Sequence, residues 1–263
     1  MKPFLKWPGG KRWAAARIAA MIRPRLSGRY FEPFLGGAAV FFSLRPTRCV
    51  LSDINPDLIN TYRVVRDRIP SLIAEIRALR VSESTFYELR SRTPSDLVVR
   101  AARFLYLNRT AFAGMYRLNS KGEFNVPYGG ERTPDALWKS SLLKDASVAL
   151  RRADLCACDF EFVLDAARAG DVVYCDPTYT VVHNNNGFKR YNEKNFSWAD
   201  QERLARAAAR AMRRGASVLV SNAHHFEICK LYRGAQFLSL TRPSTLSVNP
   251  AKRHEVDEYL IIL

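Results

Sequence analysis

A short apolar run, Val172 to Cys175, is the feature that most limits what this chain can fold into. Its β-branched and aromatic residues predict a buried strand of an α/β sheet. Directly after it come Asp176, Pro177, Thr178 and Tyr179, at the carboxyl end of the strand, where open α/β sheets bind ligands. An aspartate that accepts a hydrogen bond from an amino group, beside a tyrosine that stacks on a flat ring, suits a nucleobase turned out of its duplex. The alternative is a buried strand that ends in an ordinary Asp-Pro turn.

Two upstream segments predict strands of the same sheet. Residues 29–42 have the pattern of a strand, a turn at Gly36 and Gly37, and a helix, so the backbone can approach a ligand at the start of that helix. Residues 49–55 form a second apolar run that ends at Asp53, about 20 residues after the glycine turn. Such folds place a carboxylate there on the hydroxyls of a ribose, and the spacing therefore favours a ligand that carries one.

The N-terminal segment carries an aromatic side chain and a cation on either side of a turn. Trp7 and Lys11 flank a Pro-Gly-Gly sequence, and together they suit an amphipathic ligand with a carboxylate. The alternative is an N-terminal arm whose Trp7 packs against the protein and whose Lys11 is solvated.

The middle of the chain changes from α/β alternation to a helical pattern. A helix is predicted from Pro56 to Arg68, capped by Asn55, and charged helical segments continue to about residue 103. Residues 105–130 are then rich in aromatic, basic and amide side chains, and the sequence around Gly122 predicts a hairpin. We interpret this hairpin as a DNA-contacting finger, because Arg and Asn reach base edges and phosphates, with an ordinary surface hairpin as the alternative.

The last part of the chain is predicted to resume the interrupted sheet. We expect a mobile loop at 180–187 and a basic loop at 242–254. The other predicted elements are a linker at 131–135, a strand at 146–150, a turn at 156–162, a helix at 200–214, a strand at 216–221 and a terminal strand at 256–263.

The charge of the chain points to a polyanionic partner. Its 41 Lys and Arg residues exceed its 25 Asp and Glu residues, which gives a formal net charge of +16. Such an excess attracts phosphates at long range and releases counterions on binding, so nucleic acid is the leading candidate. A generally basic surface is the alternative. The hydrophobic share of 48% excludes a disordered protein.

Cysteine and histidine spacing predicts no metal site. The five cysteines are odd in number, and their closest pair, Cys156 and Cys158, lacks the spacing of a zinc or dithiol site. His183 stands alone in a predicted loop, and His224 and His225 lack a third ligand. The start of the chain does not resemble a signal peptide, and no apolar run approaches the ~20 residues of a membrane helix. We therefore expect a soluble, cytoplasmic protein with reduced thiols.

Several segments together resemble the Dam-type family of DNA adenine methyltransferases, which transfer a methyl group from S-adenosylmethionine to the amino group of adenine. The matching segments, in the order of the family, are FLKWPGGK at 4–11, FEPFLGG at 31–37, SDIN at 52–55, FLYLNR at 104–109, GEFNVPY at 122–128, DPTY at 176–179 and VLVSN at 218–222. They cover nearly the whole chain.

The resemblance implies a Rossmann-like α/β methyltransferase sheet that is closed by an antiparallel C-terminal hairpin. The sheet would be interrupted after its second strand by an inserted, mainly helical DNA-recognition subdomain that carries a β-hairpin. On this expectation, residues 1–56 and 146–263 form the catalytic domain, and residues 57–145 form the recognition subdomain.

The resemblance also implies roles at the catalytic centre. Asp176 and the Pro177 carbonyl would accept the two amino hydrogens of a flipped adenine, and Tyr179 would stack on its ring. The residues implied in contacts with S-adenosylmethionine are Trp7, Lys11, Phe34, Gly36, Asp53, Asp159, Phe160 and Asp176.

Contacts to double-stranded DNA are implied in the same way. Arg109 and Asn119 match positions that touch phosphates, Arg117 matches an arginine that reads a guanine, and Lys6 matches a lysine that reaches a base. Pro127 lies in the matching hairpin segment. A GATC target follows as a hypothesis. At two positions the sequence departs from better-known members, with Ala113 in place of an amide and Glu131 in place of an aromatic residue.

Three other functions remain open at this point. A cytosine amino-methyltransferase is one, although that chemistry is usually associated with Ser at the position of Asp176. An RNA substrate is the second. The third is a catalytically weak DNA-binding protein, because Thr178 replaces a second proline that would stiffen the turn. We expect a monomer, and a cognate restriction endonuclease as partner stays open.

Overall fold

The computed structural model describes residues 1–119, 122–130, 140–180, 196–243 and 255–263. Within these ranges the helices are α1 (Ala15–Ile22), α2 (Ala39–Leu44), α3 (Pro56–Asp67), α4 (Ile69–Ala78), α5 (Glu83–Ser91), α6 (Leu97–Thr110), α7 (Ser140–Leu150), α8 (Phe160–Ala166), α9 (Trp198–Arg213) and α10 (Phe226–Leu231), with 3₁₀ turns at Arg23–Arg25 and Phe112–Gly114. The strands are β1 (Tyr30–Glu32), β2 (Cys49–Asp53), β3 (Ala153–Ala157), β4 (Val172–Cys175), β5 (Ser217–Ala223), β6 (Gln236–Pro243) and β7 (Glu255–Ile262). This mixture confirms the expected α/β class.

The chain divides into two compact units, and each unit is assembled from three segments. The first unit comprises Met1–Ala15, Gly36–Arg45 and Asn55–Ala157. The second unit comprises Ala16–Leu35, Pro46–Ile54 and Cys158–Leu263. The expected boundaries of the recognition subdomain, at residues 57 and 145, stay a prediction.

Six of the seven strands belong to the second unit, and their order there is β2-β1-β4-β5-β7-β6. The strands β2, β1, β4 and β5 are parallel, so their carboxyl ends share one edge. β1 has β2 on one side and β4 on the other. The direction in which successive strands are added to the sheet therefore reverses between β1 and β4. Open α/β sheets bind their ligands outside the carboxyl ends at such a reversal. Glu32 ends β1 there, and Asp176 follows β4.

The sheet ends in an antiparallel pair, as the resemblance implies. β7 runs antiparallel to both β5 and β6, with Ala223 opposite Glu258. The terminal strand predicted at 256–263 is therefore confirmed within one residue at each end. The strands are held by a core in which Val173, Val218 and Ile261 are all buried. Buried apolar side chains of this kind supply most of the stabilising free energy of a domain.

An arginine-rich face of α9 pairs with α8. Arg210 donates to Glu161 Oε1 at 2.6 Å and to Asp165 Oδ2 at 3.0 Å. This hydrogen bonding lowers the pKa of Asp165, with the Arg210 hydrogen bond as the largest cause. Part of the arginine excess is thus used to join two helices, and these side chains are not candidates for binding a polyanion.

In the first unit, α3 begins as the sequence predicts. The Asn55 side chain accepts hydrogen bonds from the amides of Asp57 and Leu58, at 3.0 and 3.1 Å, and Pro56 occupies the first turn. The first amide groups of a helix have no partner within the helix. Asn55 accepts hydrogen bonds from two of them, and Pro56 has no N–H group to satisfy. The predicted helix at residues 56–68 is confirmed with its end at Asp67.

The predicted hairpin of the first unit is present as a pair of short antiparallel bridges. Leu118 pairs with Phe124, and Ala111 pairs with Tyr128. Phe124 lies in one buried cluster with Phe86 of α5 and other side chains of α6. The hairpin is therefore packed against the helical part of its own unit. Residues 120 and 121 of its turn lie outside the described residues.

One predicted strand is wrong. Residues 146–150 end the helix α7, and the strand that follows is β3, in the segment where a turn was expected to begin. The buried residues of α7 are Leu143, Ala146 and Leu150, which recur at helical spacing of three and four. A five-residue apolar window is too short to separate the two periods. The predicted turn at 156–162 is accordingly replaced by the end of β3 and the start of α8.

Some predictions fall on residues that the structure does not describe. These are the linker at 131–135, all but the first residue of the loop at 180–187, which contains His183, and most of the basic loop at 242–254. Among the helices of the described ranges, none has the length and apolar character needed to cross a membrane. The five cysteines are free thiols.

Candidate active site

The turn after β4 places the candidate catalytic residues at the carboxyl edge of the sheet. β4 is buried along its whole length. Beyond it, Asp176 is half-buried, Pro177 is buried, Thr178 is exposed and Tyr179 is half-buried. A ligand can thus reach Asp176 and Tyr179, while Pro177 fixes the backbone between them.

Tyr179 is held through its hydroxyl group. The phenol donates a hydrogen bond to Glu258 Oε2 at 2.8 Å. Burial raises the pKa of Tyr179 well above its usual value, and the charges of Asp176 and Glu258 raise it further. Tyr179 is therefore a neutral phenol and a hydrogen-bond donor, which suits an aromatic surface and not a base.

A buried polar network supports the same turn from α9 and β5. Gln201 Nε2 donates to Thr180 Oγ1 at 3.2 Å and to the Thr178 carbonyl at 3.4 Å. Gln201 Oε1 accepts from Asn222 Nδ2 at 2.9 Å. Gln201 and Asn222 are fully buried. Because buried amides are costly to leave without partners, this network favours a single conformation of the turn.

Three carboxylates contribute negative charge at this edge of the sheet. The buried Tyr174 donates or accepts one hydrogen bond with Ser221 Oγ at 2.8 Å. Burial is the largest cause that raises the pKa of Tyr174, followed by the charges of Asp176, Glu32 and Glu258. Coulomb interactions fall with distance, so these three carboxylates lie around one phenol. Their potential suits a ligand with a cation or an amino group.

An aromatic cluster lies beside the start of α8. Phe34 stacks on Phe160 with ring centroids 5.3 Å apart, and Phe196 meets Phe34 edge-on at 5.6 Å. The Arg203 guanidinium lies over the Phe160 ring, 4.4 Å from its centroid. Asp159 caps α8 through the Glu161 amide and also accepts from Arg203 Nη2 at 2.8 Å. The predicted residues Phe34, Asp159 and Phe160 are thus brought together.

Asp53 lies at the carboxyl end of β2 and is half-buried. Its carbonyl accepts a hydrogen bond from the Cys158 amide at 3.2 Å, and the neighbouring Ser52 carbonyl accepts one from the Leu35 amide at 2.9 Å. These bonds tie the ends of two predicted site segments to the end of β2. The backbone of Asp53 is therefore fixed at the carboxyl edge of the sheet, where β1 and β4 also end.

In the first unit, Trp7 packs against the glycine turn. Gly36 has a φ of +44°, and a Cβ atom there would come within 2.6 Å of Trp7 Cδ1, so only glycine fits. The Gly36 carbonyl accepts from the Tyr62 hydroxyl at 2.9 Å. The indole also stacks on Tyr116, with centroids 5.1 Å apart. Lys11 is only 4% exposed, so the alternative of a solvated lysine is wrong.

The N-terminal arm is clamped by α6 of the same unit. Asn108 is fully buried, and its side chain accepts from the Lys6 amide at 3.0 Å and donates to the Lys6 carbonyl at 2.6 Å. The Arg109 guanidinium donates to the Phe4 carbonyl. Gly114 has a φ of +64°, and a Cβ atom there would meet the Lys6 side chain at 2.4 Å. The predicted DNA contacts Lys6 and Arg109 are thus held together.

The hairpin carries the other predicted DNA contacts. Arg117 Nε donates to Asn125 Oδ1 at 2.7 Å, across the hairpin. Asn119 Nδ2 donates to Glu123 Oε2 at 2.8 Å, and the Glu123 amide donates back to Asn119 Oδ1 at 3.0 Å. The carbonyl of the exposed Pro127 accepts from the amide of Phe112. These contacts fix the direction of the Arg117 and Asn119 side chains before any ligand arrives.

The surroundings of the cysteine before Asp176 and of the two histidines after β5 do not favour thiolate or metal chemistry. Cys175 precedes Asp176, but burial raises the pKa of its thiol, so it is not a thiolate nucleophile. His225 caps α10 through its Nδ1, and His224 stacks on Tyr259 with centroids 4.1 Å apart. In the part of the chain that the structure covers, no three His, Cys, Asp or Glu side chains are grouped as a metal site.

Four buried polar residues that support the predicted site residues within their own units were missed from the sequence. They are Glu32, Asn108, Gln201 and Glu258. Asn108 and Glu32 lie inside the segments FLYLNR and FEPFLGG that resemble the family, and this position could have marked them as candidate site residues. Gln201 and Glu258 lie on an ordinary helix and an ordinary strand, and their partners are distant in the chain.

Known proteins match nearly the whole chain. The family described as D12 class N6 adenine-specific DNA methyltransferase matches residues 7–246. The Type II methyltransferase M.MjaIII of Methanocaldococcus jannaschii is 33% identical over 286 residues, which cover 100% of this chain and 99% of the relative. The DNA adenine methylase of Haemophilus influenzae is 34% identical, covering 99% and 93%. That of Escherichia coli K12 is 33% identical, covering 99% and 95%. This chain therefore belongs to the D12 class of N6 adenine-specific DNA methyltransferases.

Proposed function

We propose that this enzyme transfers a methyl group from S-adenosylmethionine to the N6 amino group of an adenine flipped out of double-stranded DNA. The observation that carries the proposal is the turn after β4. It presents a half-buried carboxylate, Asp176, and a neutral phenol, Tyr179, at the carboxyl edge of the sheet, next to the reversal of strand order. An enzyme that acts on a base must take it out of the stack and hold its edge and its face.

The residues of the turn contact different parts of the adenine. Asp176 accepts a hydrogen bond from the amino group, and the Pro177 carbonyl accepts the second. These two bonds orient the nitrogen and make its lone pair more available for in-line attack. The Tyr179 ring stacks on the face of the base. S-adenosylmethionine supplies an activated methyl group on a sulfonium centre.

The residues that we assign to the methyl donor fit its chemistry. The negative edge around Tyr174 suits a positively charged sulfonium. Asp53 ends β2, where a carboxylate binds ribose hydroxyls, and the stacked Phe34 and Phe160 offer an aromatic wall for a purine. The full set comprises Trp7, Lys11, Phe34, Gly36, Asp53, Asp159, Phe160 and Asp176.

We assign DNA recognition to the hairpin and the N-terminal arm. The side chain of Arg117 reads a guanine, because a guanidinium matches the two acceptors that guanine presents in the major groove. Arg109 and Asn119 contact phosphates, which position the enzyme without reading sequence. Lys6 reaches a base, and Pro127 lines the same surface. The hydrogen bond of Arg117 to Asn125 supports this role, since it orients the guanidinium in advance.

The target that these contacts favour is GATC. We expect plasmid DNA from cells that express the enzyme to resist cleavage by a nuclease that adenine methylation blocks at GATC. A matched plasmid from cells that express Arg117→Ala should become sensitive, because the loss of one bidentate base contact costs about 1–3 kcal/mol of discrimination. Full cleavage of the wild-type plasmid would overturn the GATC assignment. Sequencing of methylated adenines would then give the actual target.

Thr178 does not disable the turn. Its side chain is exposed, and its carbonyl, the group that Gln201 contacts, is also present in proline. We predict that Thr178→Pro leaves kcat/KM similar or higher and stabilises the enzyme by about 0.4–1 kcal/mol, since proline restricts the unfolded chain. Steady-state methylation and thermal unfolding test this, with Thr178→Ala as the control for the hydroxyl. An inactive wild type that the proline revives would favour the weak DNA-binding protein instead.

Competing substrates and partners are separable by experiment. Competition between DNA and RNA for methyl transfer distinguishes an RNA enzyme, and nucleoside analysis distinguishes cytosine from adenine. We propose that the enzyme acts as a monomer, which sedimentation of the free protein would test. The Type II name of the archaeal relative supports a cognate restriction endonuclease as partner. Protection of host DNA from such an endonuclease would be the corresponding assay.

A further inference from the structure

Glu258 is a buried carboxylate that is not among the residues assigned above to contact the adenine, the methyl donor or DNA. It lies in β7 and is 3% exposed. Across the strand pair it faces Ala223, the last residue of β5, and on the other side it faces Leu240 of β6. Since β5 is parallel to β4, the end of β5 is at the carboxyl edge of the sheet. Glu258 therefore lies at the edge that carries the catalytic turn.

A buried charge is costly, so its partners indicate what it does. Glu258 Oε2 accepts the hydrogen bond of the Tyr179 hydroxyl at 2.8 Å. The two residues are 79 positions apart in the chain. Tyr179 is neutral, so it is the donor, and a hydrogen bond to a carboxylate is stronger than one to a neutral acceptor. The bond ties the far end of the Tyr179 side chain to β7, a strand that is paired on both sides.

The backbone of Tyr179 is restrained on the other side. Gln201 binds the carbonyl of Thr178 and the hydroxyl of Thr180, the residues before and after Tyr179. The side chain is thus anchored at both ends, at the backbone by the network and at the hydroxyl by Glu258. A side chain anchored at both ends keeps one direction, and a ring that must receive a base benefits from that preorganisation.

We propose that Glu258 is a positioning residue, which holds the Tyr179 ring in the orientation that receives the flipped base. The inference rests on the proposed function, in which Tyr179 stacks on the adenine. It assigns Glu258 no contact with substrate. Its proposed effect on the base passes through the hydroxyl of Tyr179, and the effect of a carboxylate that serves stability alone would not depend on that hydroxyl.

The test uses the full enzyme with the changes Glu258→Leu, Glu258→Gln and Tyr179→Phe, alone and combined. Glu258→Leu and Tyr179→Phe should each lower kcat for DNA methylation about tenfold, because each removes the same hydrogen bond to a charged group. The KM for S-adenosylmethionine should stay unchanged in Tyr179→Phe, which leaves the three carboxylates around Tyr174 in place. Glu258→Gln keeps an acceptor and should stay within about threefold of wild type. The control is Asp257→Asn, an exposed neighbour on β7, which should behave as wild type.

The combined variants decide the inference. With phenylalanine at position 179 no donor remains, so adding Glu258→Leu or Glu258→Gln should lower kcat no further. Losses that multiply, or wild-type kcat in a folded Glu258→Leu enzyme, would overturn the inference. If Glu258→Leu fails to fold, the comparison of Tyr179→Phe with Tyr179→Phe/Glu258→Gln gives the same answer. An inactive wild type would instead overturn the proposed function.

Discussion

Replacing Asp176 by alanine should lower kcat for DNA methylation by about 100- to 1,000-fold. In the proposed function Asp176 is the acceptor that orients the adenine amino group, and the loss of one such preorganised group typically has an effect of this size. Asp176 is half-buried at the end of a fully buried strand, so the substitution leaves the core intact. Single-turnover transfer of a labelled methyl group to DNA measures the effect on the chemical step.

Asp176→Asn is the matched variant for this experiment. It keeps one oxygen acceptor but loses the charge, so its kcat should fall between those of the wild type and the alanine variant. The affinity for DNA, measured in parallel, should change little, because the phosphate contacts lie elsewhere. An alanine variant within threefold of wild-type kcat would contradict the role of Asp176.

Replacing Asp53 by alanine should raise the KM for S-adenosylmethionine about 10- to 100-fold. The carboxylate at the end of β2 is assigned to the ribose hydroxyls, and hydrogen bonds to a charged group contribute about 1.5–3 kcal/mol. At saturating donor, kcat should return close to the wild-type value, since the ribose takes no part in the transfer. Steady-state rates over a range of donor concentrations separate the two parameters.

The control for Asp53 is another aspartate near a strand. Asp154 lies in β3 and is exposed, so Asp154→Asn should leave both parameters unchanged. A folded Asp53→Ala enzyme with an unchanged donor KM would remove Asp53 from the donor site.

The features that the sequence predicted correctly are those with local signals. The cap at Asn55, the terminal strand and the hairpin around Gly122 depend on a few neighbouring residues and are confirmed. The strand at 146–150 was wrong because the short window did not reveal the helical spacing of α7. The position of Asp176 at the sheet edge was predicted because it follows an apolar strand directly, and that position is confirmed, while its catalytic role stays a prediction.

The features that the sequence did not reveal depend on contacts between distant residues. Asn108 binds Lys6 across 102 positions, and Glu258 binds Tyr179 across 79. No local pattern marks such pairs, because each partner is chosen by the fold and not by its neighbours in the chain. The solvated alternative for Lys11 is wrong, since the residue is 4% exposed, while its assignment to the methyl donor stays a prediction.

The central claim is most directly tested by nucleoside analysis of DNA after reaction with the purified enzyme. Double-stranded DNA of varied sequence is incubated with labelled S-adenosylmethionine, digested to nucleosides and separated by mass. We expect label in N6-methyladenine with the wild type and almost none with Asp176→Ala. Label in a cytosine derivative, or no label in DNA at all, would contradict it.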